Sequence, residues 1–393
     1  MIWKFLRLFF TNTNPPDEPK KILVIREAAI GDVILITPFL KQLRKLYPKA
    51  TIEYVVVDWA SSILAHNSNI DRVYQVSNEL IFGSKMDLLK KRLSFFSELA
   101  KKNYDIVFSP TTQLIYKAAL LLFRNTYKIG FDTVAYGVIG LSNFMLSDYV
   151  YIDLKEIPRK RHVAQLYLEM LRRLHPNYNV QAETTGLEIF LSDVEKNRID
   201  EIFQSLGWCD EHEFIAIAPS AGGGVKPDAA IKTAPPEKFV QTIRLLRENN
   251  PKRRFVMIGS KGERDYVDKM ALCDGKNIIN LCGDLTLLES TQLLKQSALL
   301  ISNDSGVSHM ASALKLNHIV LFGATDSIEF GPYQNPNAKV LKVALPCAPC
   351  RENHCMVEES TQTKDFKRPY CLNMITPEEI VEQAEMLLKK RAK

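Results

Sequence analysis

The chain has 393 residues, 46% of them hydrophobic and 24% charged, a balance that supports buried cores and excludes wholesale disorder. At about 100–200 residues per domain the length predicts two domains, and two domains imply a cleft. A formal charge of +6 fits a solvated surface as readily as a site for anions, and with no zinc-finger, RNA-recognition or basic-helix signature beside it, nucleic acid is not an expected partner.

The first ten residues mix Trp3, Phe5, Phe9 and Phe10 with Lys4 and Arg7. Their apolar run falls short of the about 20 residues a spanning helix needs, and charges interrupt what would be the core of a signal peptide. The chain is therefore expected to stay in the cytosol, with residues 1–19 forming an amphipathic segment and linker that either rests in a membrane headgroup layer or packs on its own domain. A continuous apolar run at Lys21–Ile25 predicts the first strand, and the helical pattern of Val33, Ile34, Phe39, Leu40 and Leu43 follows Gly31. Further strands are predicted at Thr51–Val57, Arg72–Val76, 105–108 and 127–130, with helices between several of them. Around residues 151–178 the pattern changes to a helix carrying Val163, Leu166, Tyr167, Met170 and Leu171, and the domain junction is placed after it.

The second half restarts the rhythm with strands at Phe214–Ala218, 254–258, 278–279, 299–301 and 319–322, and ends in an amphipathic helix over 377–390. Strands alternating with helices predict an α/β protein with two doubly wound, largely parallel sheets. The domains are drawn at 20–180 and 181–376, the latter with a Cys-rich excursion at 345–372, followed by the terminal segment 377–393. In such sheets ligands bind beyond the carboxyl ends of the strands, so the loops there are the place to look for chemistry.

Gly31 and Asp32 lie just past the first strand, where a carboxylate is either an ordinary helix cap or a group placed for catalysis. The preceding residues 27–31 are not the three-glycine dinucleotide fingerprint, which argues against a dehydrogenase. Residues 303–309, reading Asn-Asp-Ser-Gly-Val-Ser-His, open a helix and form either an anion cradle, with free N–H groups at the positive end of the dipole, or a plain capped helix. His309 falls in the first turn, where the dipole disfavours its protonated form. A second small polar loop holds Gly323 and Thr325, and a third holds Ser220 and Gly222 ahead of Lys232, a point charge suited to phosphate.

Cys347, Cys350, Cys355 and Cys371 form a C-x2-C-x4-C-x15-C array, whereas Cys209, Cys273 and Cys282 are scattered. Four thiolates at that spacing predict a closed structural site for zinc or iron, with reduced thiols packing a surface excursion as the alternative; His354 is a substitute ligand.

Taken together, these blocks resemble glycosyltransferase family 9, the ADP-heptose:lipopolysaccharide heptosyltransferases. Residues 21–38 resemble the family's opening strand, Gly-Asp turn and helix, and residues 303–313 resemble its Asp-Thr/Ser-Gly-x-x-His-x-Ala-x-Ala block. Residues 321–326, with Gly331 and Pro332, resemble the block after it, residues 161–167 the helix between domains, and the Cys-rich tail also recurs. The resemblance runs in register from about residue 20 to the end. It implies the GT-B fold, two facing Rossmann-like domains, with Asp32 as general base and Asp304, Ser305, Gly306 and Val307 holding the donor. Ser220, Gly222, Lys232, His309, Gly323 and Thr325 complete the expected donor set. One departure bears on the donor: where the family reads Lys-x-Trp-Pro, residues 232–235 keep lysine and proline but carry Ala234.

The reaction implied is inverting transfer of heptose from ADP-heptose to an anionic glycolipid acceptor, at the cytosolic face of the inner membrane. Asp32 would take the hydroxyl proton, and Lys232 with residues 305–307 would receive the diphosphate. No catalytic metal is expected, since the chain holds no Asp-x-Asp pair to carry one. Another nucleotide sugar, a protein acceptor, or a non-catalytic nucleotide-binding module are the alternatives.

Overall fold

The computed structural model describes residues 11–391 except 13, 78–79, 81–85, 112–116, 134–144, 154–155, 157–159, 179–185, 209–212, 222–229, 271–275, 351, 353–354, 356 and 358–368. The chain divides into two compact units, Met1–Ile157 with Val163–Thr185, and Pro158–His162 with Gly186–Lys393.

Unit 1 holds β1 (Lys21–Ile25), β2 (Thr51–Val57), β3 (Arg72–Val76), β4 (Ile106–Ser109), β5 (Tyr127–Thr133) and β6 (Asp148–Ile152), in the order β3-β2-β1-β4-β5-β6. Unit 2 holds β7 (Phe214–Ala218), β8 (Arg254–Met257), β9 (Ile278–Asn280), β10 (Leu299–Asn303), β11 (His318–Leu321) and β12 (Ala338–Leu341), in the order β12-β11-β10-β7-β8-β9. Read from its opposite edge, the second sheet has the same order as the first. All pairings are parallel, with Ile22 of β1 between Ile52 and Ile106, and Leu300 of β10 between Ala216 and His318. The central strands β1, β4, β7 and β10 are mostly apolar and almost wholly buried because both faces of a parallel sheet are covered. In each unit the strand order reverses at one point, between β1 and β4 and between β7 and β10, which is where ligands collect in such sheets.

The expected α/β architecture is present, with two strands that the sequence did not reveal. Both are edge strands: β6 buries Val150 and Ile152 but exposes Tyr151, and no residue of β12 is fully buried, so neither has the full cover of a central strand.

The first helical stretch is also split, into α1 (Ile30–Leu35) and α2 (Thr37–Leu46). Pro38 has no N–H to give the Ile34 carbonyl four residues back, and the Thr37 hydroxyl donates to that carbonyl instead, at 2.7 Å. After α3 (Met86–Ala100), α4 (Val163–Leu174) closes unit 1, burying Val163, Leu166, Tyr167, Met170 and Leu171. It packs on α2 and β6, and the Tyr47 hydroxyl beyond α2 lies 2.6 Å from His175 Nε2.

Unit 2 adds α5 (Asp193–Ser205), α6 (Pro236–Asn249), α7 (Arg264–Asp268), α8 (Leu287–Gln296), α9 (Gly306–Ala313), α10 (Ser327–Phe330), α11 (Tyr370–Met374) and α12 (Pro377–Arg391). Capping boxes start α5, at Ser192 and Glu195, and α8, at Thr286 and Glu289, each satisfying backbone donors that a helix leaves open. Its core joins Ile215, Ile217, Phe239, Phe255, Leu299 and Ile319. The destination of α12, which pattern alone does not give, is this core: Ile380, Ala384 and Leu387 are buried and the helix packs on α6, β10 and β11. Arg253 pairs with Glu385 at 2.6 Å across that contact. Among the described residues no helix is long and apolar enough to cross a membrane.

Candidate active site

In unit 1 the chain leaves β1 at Ile25, and α1 begins at Ile30 with Ala29 as its cap residue. Asp32 is therefore not the cap but the third residue of the helix, within the first turn, where the dipole favours a negative charge. Its Oδ1 accepts from Arg26 Nη2 at 2.9 Å, and the carboxylate keeps 24% exposure. Arg26 Nε donates to the Tyr167 hydroxyl at 3.2 Å, and the guanidinium carbon lies 5.9 Å from the Tyr167 ring centroid. Burial works against the charge on Arg26, but Tyr167 and Asp32 outweigh it and the guanidinium is held firmly protonated. The neighbouring Glu27 is 5% exposed with no hydrogen-bond partner on Oε1, and burial pushes its carboxyl up toward the neutral acid.

In unit 2 three loops that follow strands are tied together by side chains. Asn303, the last residue of β10, is fully buried; its Oδ1 accepts from the Ala234 N–H at 3.0 Å and its Nδ2 donates to the Pro219 carbonyl at 2.8 Å. Next to it Asp304, 4% exposed, receives the Thr325 hydroxyl at 2.7 Å and pairs with Lys232 Nζ at 3.5 Å. The Ala221 N–H donates to Thr233 Oγ1 at 3.2 Å, drawing the loop after β7 onto the same group. Ser305 caps α9 without a side-chain hydrogen bond, and its buried Oγ has no partner. Gly306 and Val307 then present the first N–H groups of α9, four of which a helix leaves without internal acceptors.

Of the predicted donor residues, Lys232, Asp304 and Thr325 are thus in direct contact, with Ser305, Gly306 and Val307 adjoining Asp304 in the chain. Ser220 is buried beside Ala221, and His309 is buried within α9. Gly222 lies outside the described residues, as do residues 1–10 and His354. At Gly323 a Cβ would meet Cys371 Sγ and Leu372 Cγ at 2.8 Å, so close packing of α11 accounts for the glycine. The residue that sequence reasoning missed is Asn303. It stood in the motif, but its role as a clamp depends on Pro219 and Ala234, which are distant in sequence.

The tetrahedral metal site predicted from the cysteine spacing finds no support. Cys371 is buried in the unit 2 core and Cys347 is exposed, with Cys350 and Cys355 between these extremes. The four are neighbours: burial pushes the Cys371 thiol up to about 11, with Cys350, Cys355 and Cys347 adding to the effect, and the Tyr370 N–H lies 3.5 Å from Cys355 Sγ. Yet among the described residues no group of three or more His, Cys, Asp or Glu side chains is placed to hold a metal ion. Cys371 on α11 is packed into the apolar core, whereas Cys347 is exposed.

Comparison with known proteins bears on this arrangement. The sequence matches the profile of glycosyltransferase family 9 (heptosyltransferase) over residues 92–361. It is 25% identical to lipopolysaccharide heptosyltransferase 3 of Escherichia coli strain K12 over 311 residues, which cover 77% of this chain and 82% of that one. A stretch of 110 residues is 34% identical to lipooligosaccharide heptosyltransferase 2 of Campylobacter jejuni, covering 28% of this chain and 32% of that one. In fold it is similar to a glycosyltransferase family 9 protein of Veillonella parvula, with a TM-score of 0.74 at 21% identity, over 96% of this chain and 100% of that one. The ADP-heptose LPS heptosyltransferase II of Escherichia coli gives a TM-score of 0.69 at 18% identity, over 95% and 100%.

Proposed function

Because the chain belongs to glycosyltransferase family 9 and is a glycosyltransferase of heptosyltransferase type with the α/β units of the GT-B fold, we propose that it moves heptose from ADP-heptose to a hydroxyl of an anionic lipopolysaccharide inner-core acceptor, with inversion at the anomeric carbon. The observation that carries this reading is the convergence of Lys232 and Thr325 on Asp304 at the start of α9. A lysine, a polar hydroxyl and open helix N–H groups are the donors a diphosphate recruits.

In this reading Asp32 removes the acceptor hydroxyl proton, the oxygen bonds to the anomeric carbon, and the bond from that carbon to the diphosphate oxygen breaks. The electron pair leaves with ADP, the proton passes from Asp32 to water, and the departing charge falls on Lys232 and the N–H groups of residues 305–307. The protein contributes orientation and fixed charge, and no divalent cation is called on at the reacting centre. Such an acceptor is anchored in a bilayer, so the enzyme works at the cytosolic face of the inner membrane.

Ala234, fully buried beneath Asn303, stands where the family carries tryptophan, and this favours testing other nucleotide sugars beside ADP-heptose. Nucleotide release from a panel of donors, with product mass as the second readout, tests the proposal.

A further inference from the structure

We propose that Arg26 is a positioning residue for Asp32: it grips one carboxylate oxygen and leaves the other aimed at the acceptor hydroxyl. The proposal rests on Asp32 being the general base. Among the described residues Arg26 is the hydrogen-bond donor to Asp32 Oδ1, at 2.9 Å, and no hydrogen bond to Oδ2 occurs. With 24% of the side chain exposed, the open oxygen remains within reach of a substrate. A carboxylate on the first turn of a helix otherwise rotates about two single bonds, and general-base catalysis demands a heavy-atom approach of about 2.6–3.2 Å.

Arg26 is itself anchored from the far side. Its Nε meets the Tyr167 hydroxyl at 3.2 Å, and the Tyr167 ring, fully buried on α4, is stacked on Phe131 of β5 at 5.5 Å between centroids and 9° between planes. A path of fixed groups therefore runs from β5 through α4 to the guanidinium and on to the carboxylate. The fork of arginine suits this task, since one edge can serve tyrosine while another serves aspartate, and a lysine offers a point charge without that geometry.

The other titratable groups facing Arg26 are Tyr54 on β2 and Glu27 in the same loop, with Arg92 of α3 acting in turn on Glu27. The Arg26 charge acts on both Tyr54 and Glu27, but burial outweighs it and pushes the Glu27 carboxyl and the Tyr54 hydroxyl up; Asp32 is the carboxylate that Arg26 hydrogen-bonds. The 2.9 Å pair holds one oxygen of the carboxylate in place and so sets the direction of the other.

The test is the separate measurement of kcat and of the two KM values in the full-length protein, with ADP-heptose as donor and a deacylated, heptose-deficient inner-core lipopolysaccharide as acceptor. It is paired with a thermal melt that needs no substrate. Arg26→Met should lower kcat by about 10- to 100-fold and leave the KM for ADP-heptose within about twofold. Arg26→Lys should lower kcat about fivefold with the same KM, and Tyr167→Phe should behave alike. An Arg26→Met enzyme with kcat within about threefold of the parent overturns the proposal while the base assignment stands. Should Arg26→Met not fold, Arg26→Lys and Tyr167→Phe both within about twofold of the parent overturn it equally. Retained turnover in Asp32→Ala is the separate result that removes the base assignment itself.

Discussion

An aspartate three positions into a helix serves the helix only weakly, through the dipole, and that separates its two readings. Losing the Asp32 charge costs about 0.3–1 kcal/mol at the helix and about 1.5–3 kcal/mol more in its bond to Arg26, whereas a general base contributes about 10²–10⁴-fold in rate. We therefore expect Asp32→Asn, which keeps an acceptor for Arg26, to melt close to the parent and bind ADP as the parent does, while turnover falls at least a hundredfold, about the lower bound for such a group. Steady-state kinetics beside a thermal melt checks this, and turnover within about threefold of the parent excludes Asp32 as the base. Gly31 and Asp32 were legible because position decides them: they follow the first apolar run and precede the first helical pattern. Arg26 was not legible, since its hydroxyl partner Tyr167 lies 141 residues further on, and nothing local to β1 points to it. Asn303 was hidden for the same reason, its two contacts being set by the folding of the loops after β7 and β10.

Helices and strands were read from periodicity, and they failed where periodicity carries no signal. The edge strands β6 and β12 are short and only partly covered, and the break between α1 and α2 follows from one proline inside a largely apolar stretch. The cysteine array shows the converse, a clear spacing whose consequence depends on which element receives each residue. Placing Cys371 on α11, buried against Gly323, makes it a core residue, while Cys347 stays exposed. Cys371→Ser should then cost about 1–3 kcal/mol for burying a hydroxyl without a full set of partners. For a unit of this size that lowers the melting temperature by about 2–4 °C per kcal/mol. Cys347→Ser should fall within about 0.5 kcal/mol of the parent, as exposed substitutions do. Equal and large losses at all four cysteines, with stoichiometric metal in the purified protein, would show a shared ion instead.

At the scale of the whole molecule, the alternation of strands and helices was enough to predict two doubly wound sheets, and both show the same strand order. The order itself was not readable, because adjacency in a parallel sheet is decided by crossovers that leave no mark in any one segment. Residues 1–10 lie outside the described residues, and their role is open to a direct test. We expect deletion of residues 1–14, which removes Lys4 and Arg7 with Trp3 and Phe5, to weaken binding to anionic vesicles by about 1 kcal/mol per basic residue, an effect that fades with salt. Activity on vesicle-embedded acceptor should fall with it, and activity on a deacylated acceptor should not; equal loss on both would mean that the segment packs on unit 1. The central claim, heptose transfer from ADP-heptose, is tested most directly by incubating the full-length protein with an inner-core acceptor and a panel of ADP- and UDP-sugars. Nucleotide release and product mass are then followed together. The account predicts ADP released in step with one added heptose, and neither with UDP donors; release of UDP with transfer of its sugar, or binding of ADP-heptose without any transfer, would contradict it.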